Sequence, residues 1–188
     1  IMREGQDLYD ITTKVMLGMR DVLLNYKPDI VLVHGDTTTT MATSLSAFYQ
    51  HISVGHVEAG LRTRNVYSPW PEELNRQVTA RISRLHFAPT NRARMNLLEE
   101  AIPSDAIFVT GNTVIDALFW VNGVLENNCT IRKQQEEYFR KVLDFNISSE
   151  PFVLVTGHRR ENFGDGFLNI CSALEELAER NPELHIVY

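Results

Sequence analysis

Acidic side chains stand where apolar stretches give out. The run VLVHGD reaches Asp36 two residues after His34, GHVEAGLRT carries Glu58 two residues after His56 with Arg62 four further on, and SPWPEELNR presents Glu72 and Glu73 directly after Pro71. Carboxylates set close together suit proton transfer, because their surroundings push their pKa values apart and leave one acid and one base at the same pH. A further stretch, TGHRRENFGDGF, brings His158, Arg159 and Arg160 out of an apolar run toward Gly164 and Gly166. Two guanidinium groups beside a glycine-containing turn and a helix start suit a phosphate.

Plainer readings stand beside these. Asp36 ahead of four threonines makes a good helix N-cap, and Glu58 can pair with Arg62 across a turn. Acids in the first turn of a helix are favourable partners for its dipole, although the Pro-Trp-Pro frame is stiff enough to aim one of them at a ligand. The 158–160 stretch can be a solvated basic loop. His34-x-Asp36 and His56-x-Glu58 also set two metal-ligand types on one strand face. Both histidines lie in apolar strand ends, however, where a hydrogen-bonded packing histidine is commoner, and no metal is expected.

The elements that must position these groups alternate. Leu8, Ile11, Val15, Met16, Met19, Val22 and Leu23 recur at helical spacing up to Lys27-Pro28. DIVLVHG is a short continuous apolar strand of the kind a sheet covered on both faces requires. A threonine run leads into the helix TMATSLSAFYQ, and ISVGHVE is the next strand. PEELNRQVTARISR, LHFAPT, NRARMNLLEEA, AIFVTG and TVIDALFWVNGVLE continue as helix, strand, helix, strand and helix. A polar segment through Phe145, read as helical, precedes a new strand–loop–helix–strand unit from PFVLVTGH to ELHIVY. The change near NISSEP, 146–151, marks a domain boundary. This is an α/β chain with parallel sheets, and such sheets bind ligands beyond the carboxyl ends of their strands, where Asp36, Glu58 and His158 all fall.

The chain has 188 residues, 44% hydrophobic and 22% charged, the composition of an ordinary globular protein. Its net charge of −6 argues against an extended nucleic-acid surface, and no apolar run approaches the roughly 20 residues that span a bilayer. Cys129 and Cys171 form no disulfide framework or Cys-x-x-Cys site, so a reducing cytoplasm is the expected setting. A first residue that is Ile1 and a last stretch that ends on a strand lead us to expect an internal piece of a longer protein.

Taken in order, HGDTTTT, GHVEAGLRT, SPWPEELNR, FAPT, TGNTVIDAL and TGHRREN closely resemble the non-hydrolysing UDP-N-acetylglucosamine 2-epimerases of bacteria, over nearly the whole chain. HVEAGLRT followed by PWPEE favours the non-hydrolysing branch over the hydrolysing one. The resemblance implies a glycosyltransferase-B-like architecture of two Rossmann-like domains, only partly present here. Residues 1–145 would be most of the first domain, without its first strand and its GTRPE-type loop. Residues 146–188 would begin the second, nucleotide-binding domain, without the later Gly-rich and acidic motif that holds the diphosphate.

The resemblance also implies Asp36, Glu58, Glu72 and His158 as catalytic groups, with Arg62, Arg159, Arg160, Glu161 and Asn162 on the substrate. It implies interconversion of UDP-GlcNAc and UDP-ManNAc through elimination of UDP and re-addition to 2-acetamidoglucal, supplying ManNAc-type sugars for surface polysaccharide. Glu58 and Glu72 would share the proton work and Asp36 would position or assist. No cofactor and no metal are implied. The implied partners are the nucleotide sugars, with UDP-GlcNAc also an allosteric activator, and a second copy in a homodimer; neither nucleic acid nor membrane is expected. Rival readings are a glycosyltransferase of the same architecture, a non-catalytic nucleotide-sugar-binding protein and a metal-dependent hydrolase.

Overall fold

The computed structural model describes residues 3, 5–156 and 165–188. Helix α1 (Leu8–Tyr26) opens on a capping box, in which the Asp10 N–H donates to the Asp7 carboxylate and the Asp7 N–H to that of Asp10. It ends at Lys27, which adopts the left-handed conformation ahead of Pro28. There follow β1 (Ile30–His34), α2 (Thr38–Tyr49), β2 (Ser53–Val57), α3 (Glu72–Ile82), β3 (Leu85–Ala88), α4 (Asn91–Glu99) and β4 (Ile107–Val109). A short 3-10 turn, Ser104–Ala106, leads into β4. Helix α5 (Thr113–Asn127), α6 (Cys129–Val142), β5 (Phe152–Leu154), α7 (Asp165–Arg180) and β6 (His185–Val187) complete the chain.

Strands β1 to β4 form one parallel sheet in sequential order, with Val33 opposite His56 and His56 opposite His86. The apolar clusters that hold it mix alanine with branched aliphatic residues. Ala59, Ala80, Ala88, Ala93, Leu97, Ile102 and Ile107 form one, and Leu23, Val33, Ala47 and Val54 the other. Strands β5 and β6 form a separate parallel pair. There Phe145 is buried and stacks on His185 at 4.0 Å.

The chain divides into two compact units, 1–115 and 116–188. The division falls within the first turn of α5, whereas the change of composition read from sequence lies at 146–151. Thr38 rather than Thr40 begins α2, so most of the threonine run is helical. The polar segment is a helix of its own, α6, because the Asn128 side chain caps it by accepting the N–H groups of Thr130 and Ile131.

Candidate functional site

The carboxyl ends of β1 and β2 carry the candidate acids, and hydrogen-bond partners decide which of the plainer readings survive. Thr37, not Asp36, caps α2. Its hydroxyl accepts the Thr40 N–H at 3.2 Å, and the Thr40 hydroxyl in turn donates to the His34 carbonyl at 2.6 Å. With the cap supplied by its neighbour, the Asp36 carboxylate stands free of the helix and meets the Arg76 guanidinium, Nε to Oδ2 at 3.2 Å. The Asp36 carbonyl accepts the Asn75 side-chain amide at 2.9 Å.

Glu58 does not pair with Arg62. It follows β2 with φ of 67°, a left-handed backbone that a non-glycine residue adopts only at a cost, of the order of 1–3 kcal/mol. That backbone brings its carboxylate back across the strand end, where Oε2 lies 3.9 Å from His34 Nε2. A side chain placed on Gly35 would reach the same oxygen at 3.5 Å, so Glu58 adjoins the residue before Asp36. His34, expected to pack in the strand end, is instead exposed, and its Nε2 also lies 3.1 Å from the Thr113 hydroxyl at the start of α5. Strand position predicted burial, but β1 ends here and about half of the side chain stays open.

Arg62 is drawn elsewhere. Its side chain is 2% exposed and forks onto Glu100, with Nε to Oε1 at 2.6 Å and Nη2 to Oε2 at 2.9 Å. That bidentate pair anchors the 58–71 loop to the end of α4. The structure thus joins Asp36 to α3 and Glu58 to the end of β1, and draws Arg62 away to Glu100. His158, Arg159, Arg160, Glu161 and Asn162 lie outside the described residues.

Of the two acids that open α3, only Glu72 is open to a ligand. It is partly exposed, and no hydrogen bond or ion pair engages it among the described residues. It lies four residues before Arg76, hence on the same helix face as the guanidinium that touches Asp36. Glu73 is fully buried. Its Oε2 accepts the Thr63 N–H and its Oε1 the Arg64 N–H, both at 3.1 Å, and Oε1 also accepts the Gln77 amide at 3.0 Å. Burial pushes its carboxyl up, but the Thr63 N–H, the Gln77 amide, the Arg64 N–H and the Arg76 charge together hold it below the usual carboxylate value.

The two buried histidines behave as packing residues. His56 Nε2 lies 2.8 Å from the Gly35 carbonyl oxygen, and burial, with the charges of His86 and Arg62, lowers its pKa to about 4. Burial likewise lowers that of His86. Both rings are therefore neutral at neutral pH. No group of three or more His, Cys, Asp or Glu side chains among the described residues is placed to hold a metal ion.

Glu58 thus stands on a strained turn, Asp36 just past the end of β1 and Glu72 at the start of α3. The sequence model of the family described as UDP-N-acetylglucosamine 2-epimerase matches residues 1–188. The chain belongs to the UDP-N-acetylglucosamine 2-epimerase family. It is 55% identical over 188 residues to the UDP-N-acetylglucosamine 2-epimerase of Yersinia pestis and 54% to that of Salmonella typhimurium, covering 100% of this chain and 49% of each relative. It spans about half the length of these curated 2-epimerases.

The fold agrees. The crystal structure of the UDP-GlcNAc 2-epimerase from Neisseria meningitidis bound to UDP-GlcNAc matches with a TM-score of 0.91 at 53% identity, over 99% of this chain and 49% of that one. The S. aureus MnaA–UDP co-structure matches with a TM-score of 0.83 at 41% identity, over 100% of this chain and 47% of that one.

Asn75 and Arg76 were not singled out from sequence, and Glu73 was noted only beside Glu72. The signal was present in EELNR, where an arginine three and four residues after two acids must share a helix face with both.

Proposed function

We propose that the complete protein interconverts UDP-GlcNAc and UDP-ManNAc without releasing the sugar. The reading rests chiefly on the Glu58 carboxylate, held by a left-handed backbone beside Asp36 and His34 at the end of a parallel sheet. Membership of the family and the relatives' bound UDP-GlcNAc and UDP support the substrate class.

In this reading a carboxylate removes the proton from C2 as the C1–O bond breaks and UDP departs with the bonding pair, giving 2-acetamidoglucal. UDP then adds back to C1 while a second acid delivers a proton to the opposite face of C2. Glu58 and Glu72, neither tied up in a bidentate pair, share the two proton transfers, and Asp36 positions or assists. His158, Arg159 and Arg160 would stabilise the departing diphosphate, with Glu161 and Asn162 beside them. Residues 1–145 then belong to the first domain and 146–188 to the second. By the same family resemblance the protein is a cytoplasmic homodimer activated by UDP-GlcNAc, and its product feeds surface polysaccharide.

Incubating the complete protein with UDP-GlcNAc in D2O and no acceptor tests this. Deuterium at C2 of both UDP-ManNAc and recovered UDP-GlcNAc is the expected outcome. Product without deuterium refutes the elimination, and no UDP-ManNAc at all points to the glycosyltransferase or binding-protein alternative.

A further inference from the structure

Glu73, Asn75 and Arg76 lie outside the proposed proton-transfer set, yet they join its parts. The Glu73 carboxylate is the one fully buried acid among the described residues. Each of its oxygens accepts a backbone N–H, from Thr63 and Arg64, in the loop that leaves the Glu58 turn. The same carboxylate meets Arg76, Oε2 to Nη1 at 3.3 Å, and Arg76 reaches on to Asp36. Asn75, between them, donates to the Asp36 carbonyl. One helix start therefore carries Glu72 itself, fixes the loop behind Glu58 and holds the residue at the end of β1.

We propose that Glu73, Asn75 and Arg76 form a positioning bracket that keeps Asp36 in register with Glu58 and Glu72, a reading that rests on the epimerase assignment above. The kind of contact fits that role. The Arg76 Nε atom is buried and makes no aligned hydrogen bond, although it lies 3.2 Å from Asp36 Oδ2. Charge attraction restrains the carboxylate without directing a proton at its lone pairs. The Asp36 side chain remains 32% exposed toward the strand ends, so it can still meet a ligand. Glu73 cannot take part in proton transfer itself, because both of its oxygens are occupied and no surface is open. Displacement of an acting group by about 1 Å can cost on the order of 10²-fold in rate, so a bracket of this kind is read in kcat.

In the complete protein, assayed by UDP-ManNAc formation, the wild type and Asp36→Asn are measured first. A wild type without turnover refutes the epimerase assignment, and Asp36→Asn at full rate removes Asp36 from the chemistry; either takes the bracket with it. With both as expected, Arg76→Gln should lower kcat by about 10–100-fold while KM stays within about 3-fold. The same change in the Asp36→Asn background should cost less than about 3-fold, since its effect runs through Asp36. Arg76→Lys, which keeps the charge, should recover most of kcat. Near-normal kcat in folded Arg76→Gln, or an equal loss in both backgrounds as a purely structural role would give, overturns the bracket. Should Arg76→Gln fail to fold, Asn75→Ala removes a tie to Asp36 without changing charge. A fall in kcat of about 10-fold at constant KM supports the proposal there, and an unchanged kcat overturns it.

Discussion

Glu58 and Glu72 differ from Glu73 and Glu100 in having carboxylates that no hydrogen bond or arginine claims, while Asp36, held by Arg76, stays partly open as well. Glu58 has only the 3.9 Å approach of His34, and Glu72 has no polar partner among the described residues. Glu73 and Glu100 are consumed by backbone amides and by Arg62. Replacing either open acid by glutamine keeps its volume and deletes a proton acceptor. Glu58→Gln and Glu72→Gln should each lower kcat by about 10²–10⁴-fold while nucleotide-sugar binding, followed by calorimetry, survives. Normal turnover by either variant removes that residue from the scheme. The types and order of these residues were legible from sequence; their partners were not. Whether Asp36 or Thr37 caps α2 depends on a single residue's φ and ψ, and whether Arg62 turns to Glu58 or to Glu100 depends on where α4 ends, 38 residues away.

The loop between β2 and α3 works as an element although it has no regular structure, because its first half is tied down at two points. Near its start the Asn96 amide donates to the Gly60 carbonyl at 2.8 Å, and at its middle Glu73 accepts the Thr63 and Arg64 N–H groups. Gly60, with φ of 88°, lies so close to α4 that an added Cβ would stand 2.3 Å from the Ala93 carbonyl oxygen. Gly35, with φ of 72°, would meet nothing closer than Glu58 Oε2 at 3.5 Å. Gly60→Ala therefore carries both a backbone cost and a clash, and should destabilise the protein by about 2–4 kcal/mol. Gly35→Ala should cost only about 1 kcal/mol, the backbone part. Urea unfolding of the two variants checks the difference, and equal costs would mean that α4 gives way. The strands and helices themselves were readable because continuous apolar runs and 3.6-residue spacing are local signals. The tight seating of α4 on Gly60 was not, since it joins segments more than 30 residues apart.

Across the whole molecule, stability should depend on acid in a particular window. The unfolded chain protonates His56 near 6.5, whereas the folded protein resists until about 4, because the ring is sealed between β1 and β3. Between those values the unfolded state binds more protons, so stability falls as pH falls, and the loss from this residue levels off below the folded value. His86 is shifted in the same direction and adds to the slope. Glu73 acts later. Its folded pKa lies below 4.5, so the stability from its four partners is present above that value and drains away as pH drops further. For His56 alone the loss between about pH 7.5 and about pH 5 amounts to about 2 kcal/mol. For a folded chain of 188 residues that is a fall in Tm of about 4–8 °C. Thermal unfolding across this range should show it, and His56→Asn, with nothing to titrate, should flatten the dependence while lowering Tm at neutral pH. A wild-type Tm that stays level from about pH 7.5 to about pH 5 would mean that His56 accepts its proton in the folded state, and that the strand ends admit solvent.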